Sequence, residues 1–313
     1  MYKLKEFVRV GGVNWSGLSL NPNAIQMLEE NPDKIVWYSL SKNPNAIHLL
    51  EQNLDKIEWY ELSSNSNAIH LLEQNPDKIN WGVLSGNPVA IHLLEDNLDK
   101  IEWDVLSANP NAIHLLERNL DKIHWDVLSG NPNAIHLLEE NPEKIDWFRL
   151  SANPNAIHLL ERNPDKIHWF RLSSNPNAIH IIEQNLNKVW WDGVSTNPNA
   201  IHLLEQHPNK IQWFWMSKNP NALHLLEKNL DKIYGEWLSS NPNAIYILEK
   251  MPDYKINWYS LSKNPSIFEY DYSLMKERCS IYKEELVMVS FHPSRIERYL
   301  NMGIDISELY DYI

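Results

Sequence analysis

The phrase Asn131-Pro-Asn-Ala-Ile-His-Leu-Leu-Glu returns, nearly letter for letter, every 22 residues between Asn21 and Asn241. A period this short and regular admits one kind of architecture: small supersecondary units that cannot bury an apolar face alone and must stack to share a continuous core. Aligned on their first Asn, eleven units begin at Asn21 and follow one another to Asn241, with a partial copy at Asn264. The last step is 23 residues because one residue is inserted near Tyr254. A half copy precedes the first full unit, since Val13-Asn14-Trp15 and Leu18-Ser19 fill the slots later taken by Ile35-Val36-Trp37 and Leu40-Ser41.

Both halves of a unit open with the same device, Asn175-Pro176 in one and Asn163-Pro164 in the other, and 17 of the 18 prolines occupy these two slots. Asn suits an N-cap and Pro the first helical position, so each unit is expected to hold two short helices with tight corners. Ala134, Ile135, Leu137 and Leu138 share one face at helical spacing, and His136 points away from it. In the second half Trp147 and Leu150 lie three apart and share a face, while Ile145 packs from the preceding turn. Whether that second helix begins at the Asn-Pro or only beside the Trp is left open by the pattern.

The expected fold is therefore all-α: an elongated α-solenoid of about eleven 22-residue helix-turn-helix repeats with a helical C-terminal cap. Residues 1 to 20 read as an N-terminal cap and half repeat, 21 to 263 as the array, and 264 to 313 as the cap. In that cap Phe268 to Val289 reads as one or two amphipathic helices, Pro293 to Met302 as a further one stopped by Gly303, and Ile304 to Ile313 as a last turn or helix. Without caps the array would present apolar ends.

The single Cys279 excludes a disulfide framework and a Cys-based zinc site, and reads as a small buried residue of a cap helix. No stretch is long enough to span a membrane, and no leader for secretion stands out. Residues 1 to 263 and the tail are both acidic, within a net charge of −13. Binding to nucleic acid draws on cationic contacts to phosphate, which disfavours that partner; anionic membranes are disfavoured for the same reason.

Several residues form rows through the repeats. His48, His70 and their counterparts to His224 are too far apart to share a metal, since stacked helices pack at about 8 to 10 Å, so each is expected to make one hydrogen bond. Trp15, Trp37 and their counterparts read as packing residues beside an invariant Leu; in the tenth unit Gly235 takes the Trp slot and Trp237 follows two places later. Glu139 and Lys144, present in every unit, are expected to tighten the corner between helices. No nucleophile elbow, phosphate-cradling loop, metal motif or triad spacing occurs, so neither catalysis nor a cofactor is expected.

Positions that vary between copies are freer of packing and better placed to bind. These are the residues flanking the Trp and the one before each first Asn. Large aromatics and Arg, enriched at interface hot spots, gather there in the sixth, seventh and ninth units. Phe148, Arg149, Phe170, Arg171, Phe214 and Trp215, with His124 and His168 nearby, are the candidate partner-binding face.

The Asn-Pro-Asn-Ala-Ile-His-Leu-Leu-Glu and Asn-Pro-Asp-Lys-Ile-His-Trp phrases, with the ending Arg278-Cys-Ser-Ile-Tyr-Lys-Glu-Glu-Leu and His292-Pro-Ser-Arg-Ile, make the chain similar to short-repeat proteins that giant DNA viruses of amoebae encode in many copies. The resemblance covers nearly the whole chain and brings no catalytic residues. It implies a viral interaction protein acting in the infected cytoplasm or carried in the virion. The expected function is a non-enzymatic scaffold for a host or viral protein. The alternatives are a self-assembling structural protein and, behind it, a reader of single-stranded RNA.

Overall fold

The computed structural model describes residues 2 to 302. The expected all-α repeat fold is present: residues from Leu4 to Phe268 form one compact body built from the units, and the residues on either side of it form a second, smaller one. No helix among the described residues is long and apolar enough to cross a membrane.

The sixth unit shows how the sequence builds a repeat. Its first helix is Ile135–Glu140, a 3-10 turn follows at Pro142–Lys144, and its second helix is Trp147–Leu150. The second Asn-Pro thus starts only the 3-10 turn. Ile145 leaves that turn in extended conformation, and the α-helix begins at the Trp, capped by the Asp146 carboxylate, which accepts from Arg149 N at 2.7 Å. Extended geometry is what lets Ile145 drop its side chain into the core, where it is 9% exposed. Ala134, Leu137, Leu138 and Leu150 complete that core. A fully buried Leu contributes ~1.5–3 kcal/mol over an exposed one.

In units one to ten the first Asn is not an N-cap, contrary to the expectation from sequence; Asn241 and the Asn264 copy do cap short 3-10 turns. Asn131 sits before a turn, four residues ahead of the helix, and is 1% exposed. Its side-chain oxygen accepts from Asn133 N at 3.0 Å, closing a local turn. Its amide nitrogen then reaches back to the two preceding units and donates to the carbonyls of Ser107 and Asn109, both at 3.1 Å. The residue's value lies in joining units, since it satisfies buried backbone groups that no helix partner can reach.

Two further rows run parallel to this one. Asn133 donates to the Pro110 carbonyl at 2.9 Å, and the buried Ser129 Oγ accepts from Asp146 N at 2.9 Å while donating to Trp125 O at 2.8 Å. The same three bonds recur along the array.

They also recur where the array should have ended. Asn21 donates to the carbonyls of Ser262 and Asn264 at 2.9 and 3.0 Å, Asn23 to Pro265 at 3.1 Å, and Asn14 N to Ser262 Oγ at 2.9 Å. The first helix pair therefore stacks on the last as any unit stacks on its neighbour. The repeat body is a closed ring of twelve units, its Asn row running round from Asn21 to Asn264 and back and interrupted at Asn241, whose amide nitrogen has no partner.

The twelfth unit is split between the chain's two ends. Asn264–Ile267 supplies its opening turn, and Lys5 N bonds Ile267 O at 2.9 Å, so the backbone path resumes at the N-terminal side. Helix Glu6–Gly11 follows, with Val8 fully buried, and helix Trp15–Leu20 closes the unit with Leu18 fully buried. Gly17 fits this join because a Cβ there would come within 2.8 Å of the Ser262 side chain. The apolar ends that an elongated solenoid would need to cap instead cover each other.

The smaller unit departs from expectation in two places. Phe268–Tyr270 is a strand paired with Tyr2–Leu4, and the helices are Tyr272–Ile281, Lys283–Ser290 and Pro293–Asn301. Tyr2 stacks on Tyr270 at 5.1 Å, and Lys3 pairs with Glu269 at 3.7 Å. Cys279 is exposed, not buried, because its helix carries no continuous apolar stripe. The expectations for Gly303 and for Ile304 to Ile313 lie outside the described residues.

Candidate functional site

The two helix layers of the ring differ in spacing and in chemistry. Successive second helices pack backbone against side chain: a Cβ on Gly193 would meet the Ser173 Cβ at 2.8 Å. Successive first helices are spanned by the longer reach of His and Glu. In a closed ring the more closely spaced layer lies inside, so the second helices face inward and the first helices outward.

The outer layer is uniform. Each His from His48 to His224 places Nε2 2.7 to 2.9 Å from a Glu Oε1 of the preceding unit, as His158 does with Glu139 at 2.9 Å. One bond per His was expected; its partner was not. The repeated Glu is thus turned to the His of the next unit, not to the repeated Lys. Lys144 lies over the Trp125 ring at 4.3 Å, and Lys166 over Trp147 at 4.7 Å. Trp37, Trp81, Trp125, Trp147, Trp169 and Trp213 each pack against the core and take the repeated Lys of the next unit over the ring, a cation–π contact that favours both residues together. Among the described residues no group of three or more His, Cys, Asp or Glu is placed to hold a metal ion.

The inner layer carries the variation. From Phe148 to Trp237 its exposed side chains form an aromatic arc. Phe148 meets His168 edge-on at 4.6 Å, and the Arg171 guanidinium lies over the same Phe148 ring at 4.9 Å. Phe170 meets Trp190 at 5.6 Å, and Phe214 meets Trp215 and Tyr234, each at 5.1 Å. Phe170, Arg171, Ser174, Asp192, Gly193, Thr196 and Trp215 line a cavity of about 150 Å³. Arg171 Nε is buried there without a hydrogen-bond partner. A buried donor left unmatched costs ~1–3 kcal/mol, so an incoming acceptor would recover that.

Of the residues singled out from sequence, Phe148, His168 and Arg171 meet in one cluster, and Phe170, Arg171 and Trp215 line one cavity. Phe214 joins them through Trp215. Arg149 turns aside to Asp126 at 3.7 Å. His124 stands outside the arc: the slot that gives His168 its Phe148 ring holds Asp104 in the case of His124. Trp190, Tyr234, Trp237 and Lys218 also belong to the arc. Their signal was visible in the positions flanking each Trp and before each first Asn, which vary between copies.

The inner layer of units two to four is acidic instead, with Glu58, Glu102 and Asp104 exposed. There Glu61 is buried at 4% exposure and paired with Lys42 at 2.6 Å. A hydrogen bond to Glu61 raises the Lys42 ammonium above its ordinary value and raises the Tyr38 phenol likewise. This cluster is internally matched and offers no free group to a ligand. No protein-family model, curated protein or solved structure matches the chain.

Proposed function

We propose that the chain is a non-enzymatic scaffold that binds a protein partner through the aromatic and arginine arc on the inner layer of its ring. The observation that supports this most is the cavity beside Phe170 and Trp215, in which Arg171 Nε is buried and unmatched. Aromatics and Arg around a desolvated pocket are the composition of an interface hot spot. Arg171 further favours a partner that brings an acceptor, a carboxylate or a backbone carbonyl. The resemblance to giant-virus repeat proteins suggests that the partner is a host or viral protein met in the infected cell or in the virion.

Closure of the ring weakens the self-assembly reading, because no open repeat end is left for head-to-tail growth. Reading of single-stranded RNA is disfavoured by Asp126, Asp146 and Asp192, which interleave with the arginines.

The test places a photo-crosslinking residue at position 170 or, on the outer layer, at 184, in protein expressed in infected cells. A defined adduct from 170 and none from 184 is the expected result. With the crosslinker kept at 170, the adduct should vanish when Phe148-Arg149 becomes Asp-Val and Arg171 becomes Val, the residues that units four and five carry in the same slots. Equal adducts from both positions, or an adduct that survives the Asp-Val exchange, would overturn the reading.

A further inference from the structure

At the join of units nine and ten, two indole rings hold one ammonium, and Phe214 and Tyr234 pack beside them. Phe214 stands 5.1 Å from Trp215 at 90°, 5.1 Å from Tyr234 at 79° and 5.7 Å from Trp237 at 84°. Phe214 thus meets each of the three edge-on and braces both indoles. Lys218 Nζ lies 4.7 Å from the Trp215 centroid and 3.3 Å from that of Trp237. Lys218 belongs to the variable position before a first Asn, and that position holds Ser64, Gly86, Ala108 and Thr196 elsewhere, so the repeat does not require a cation there. Trp237 is itself a departure from the repeat, the displaced partner of Gly235.

We propose that this cage is a binding site for a methylated ammonium, the trimethyl-lysine side chain of a protein partner, with Lys218 as its resident competitor. Ring faces attract cations through their quadrupole and bind quaternary ammonium groups well. Primary and quaternary ammonium carry the same charge, so exchanging one for the other leaves the net charge in the cage unchanged. Hydration then decides the outcome. The Lys218 ammonium is strongly hydrated in water and has three N–H donors that ring faces satisfy poorly. A trimethylammonium has no N–H to satisfy and sheds its water more readily. Exchange returns the better-hydrated cation to solvent and keeps the less hydrated one against the rings.

The assignment to a protein side chain, over a choline headgroup, rests on the reading of the inner layer as a protein-binding face, because Phe214 and Trp215 are shared by the cage and the arc. The site itself is tested with purified components, so its failure is separable from failure of the crosslink at position 170.

The experiment titrates the intact protein with a short peptide carrying one trimethyl-lysine, with the same peptide unmodified, and with phosphatidylcholine vesicles, following tryptophan fluorescence and heat. Lys218→Ser and Trp215→Val are residues that other units carry at these positions, so both variants should keep the helical circular dichroism of the parent. The trimethylated peptide should bind at least about tenfold tighter than the unmodified one, and Lys218→Ser should bind it about tenfold tighter again, because the internal competitor is gone. Adding Trp215→Val to Lys218→Ser should reverse that gain. Lack of any preference for the methylated peptide in Lys218→Ser, or binding that survives Trp215→Val, would overturn the site. Saturable vesicle binding without peptide binding would overturn the protein assignment.

Discussion

The join between the chain's two ends and the join between units ten and eleven exchange the roles one would assign them. At the first no peptide bond connects the stacked units, yet all three hydrogen-bond rows pass through it. At the second the chain is continuous, yet Asn241 Nδ2 is buried without a partner, and so is the Trp237 Nε1 of the unit before it. The cause of the second lies in the inserted residue near Tyr254. The segment that carries it pushes the Lys255 carbonyl to where a Cβ on residue 235 would stand, so the slot holds Gly and the indole moves to Trp237. Covalent continuity is therefore not what makes a join regular. The rows of Asn and Ser side chains do, and they need matching unit lengths, not an unbroken chain.

The largest effects should come from the core, and they should be equal at the seam and in mid-array. Leu18→Ala, at the seam, and Leu150→Ala, far from it, both remove a fully buried Leu. Each should cost about 2–5 kcal/mol in denaturant unfolding. A seam that is merely a touching of ends would give a far smaller value for Leu18.

Next in size is the contrast between Asn rows. Asn131→Ala strips partners from two buried carbonyls and one N–H, and should cost about 2–4 kcal/mol. The Asn241 side chain accepts only from the Asn243 N–H, and Asn241→Ala also removes an unmatched donor, so its cost should stay at ~1 kcal/mol or below. Equal losses at the two positions would remove the distinction drawn between the joins.

The smallest effect belongs to the outer layer. His136→Ala breaks one exposed pair with Glu117, worth less than about 1 kcal/mol. A cost above Asn241→Ala would show that the outer row, and not the buried ones, holds neighbours together.

Much of this was legible in the residues, and the parts that were not have a physical reason. The 22-residue period and the Ala-Ile-Leu-Leu face announced stacked helix pairs, since apolar spacing alone specifies which sides must meet. The Trp flanks pointed to the arc, because packing leaves those slots free to vary. Closure was harder to see. It depends on a small rotation between neighbours summing to one full turn, and that rotation is set by packing details which no single unit reveals. The half copy at Trp15 and the partial copy at Asn264 were complementary pieces of one unit, but reading them as caps hid the match. The invariant buried Ser and Asn carried the other missed signal: polar residues that never vary in a packed repeat are there to satisfy backbone groups of the next one. Lys144 and Glu139 were misread as partners because they are close in sequence, whereas each reaches a different neighbouring unit.

The closed ring is tested most directly by a distance across the seam. In a Cys279→Ser background, spin labels replace Tyr38 and Tyr259, which follow Trp37 and Trp258 and stand two units apart around the ring with Trp15 between them. A reference pair at Tyr60 and Asp104 has the same two-unit spacing inside the array. Pulsed electron resonance should return the same distance for both pairs. An open solenoid would instead place Tyr38 and Tyr259 ten unit spacings apart, on the order of 90 Å at about 9 Å per unit, and the seam pair would then give no short distance at all.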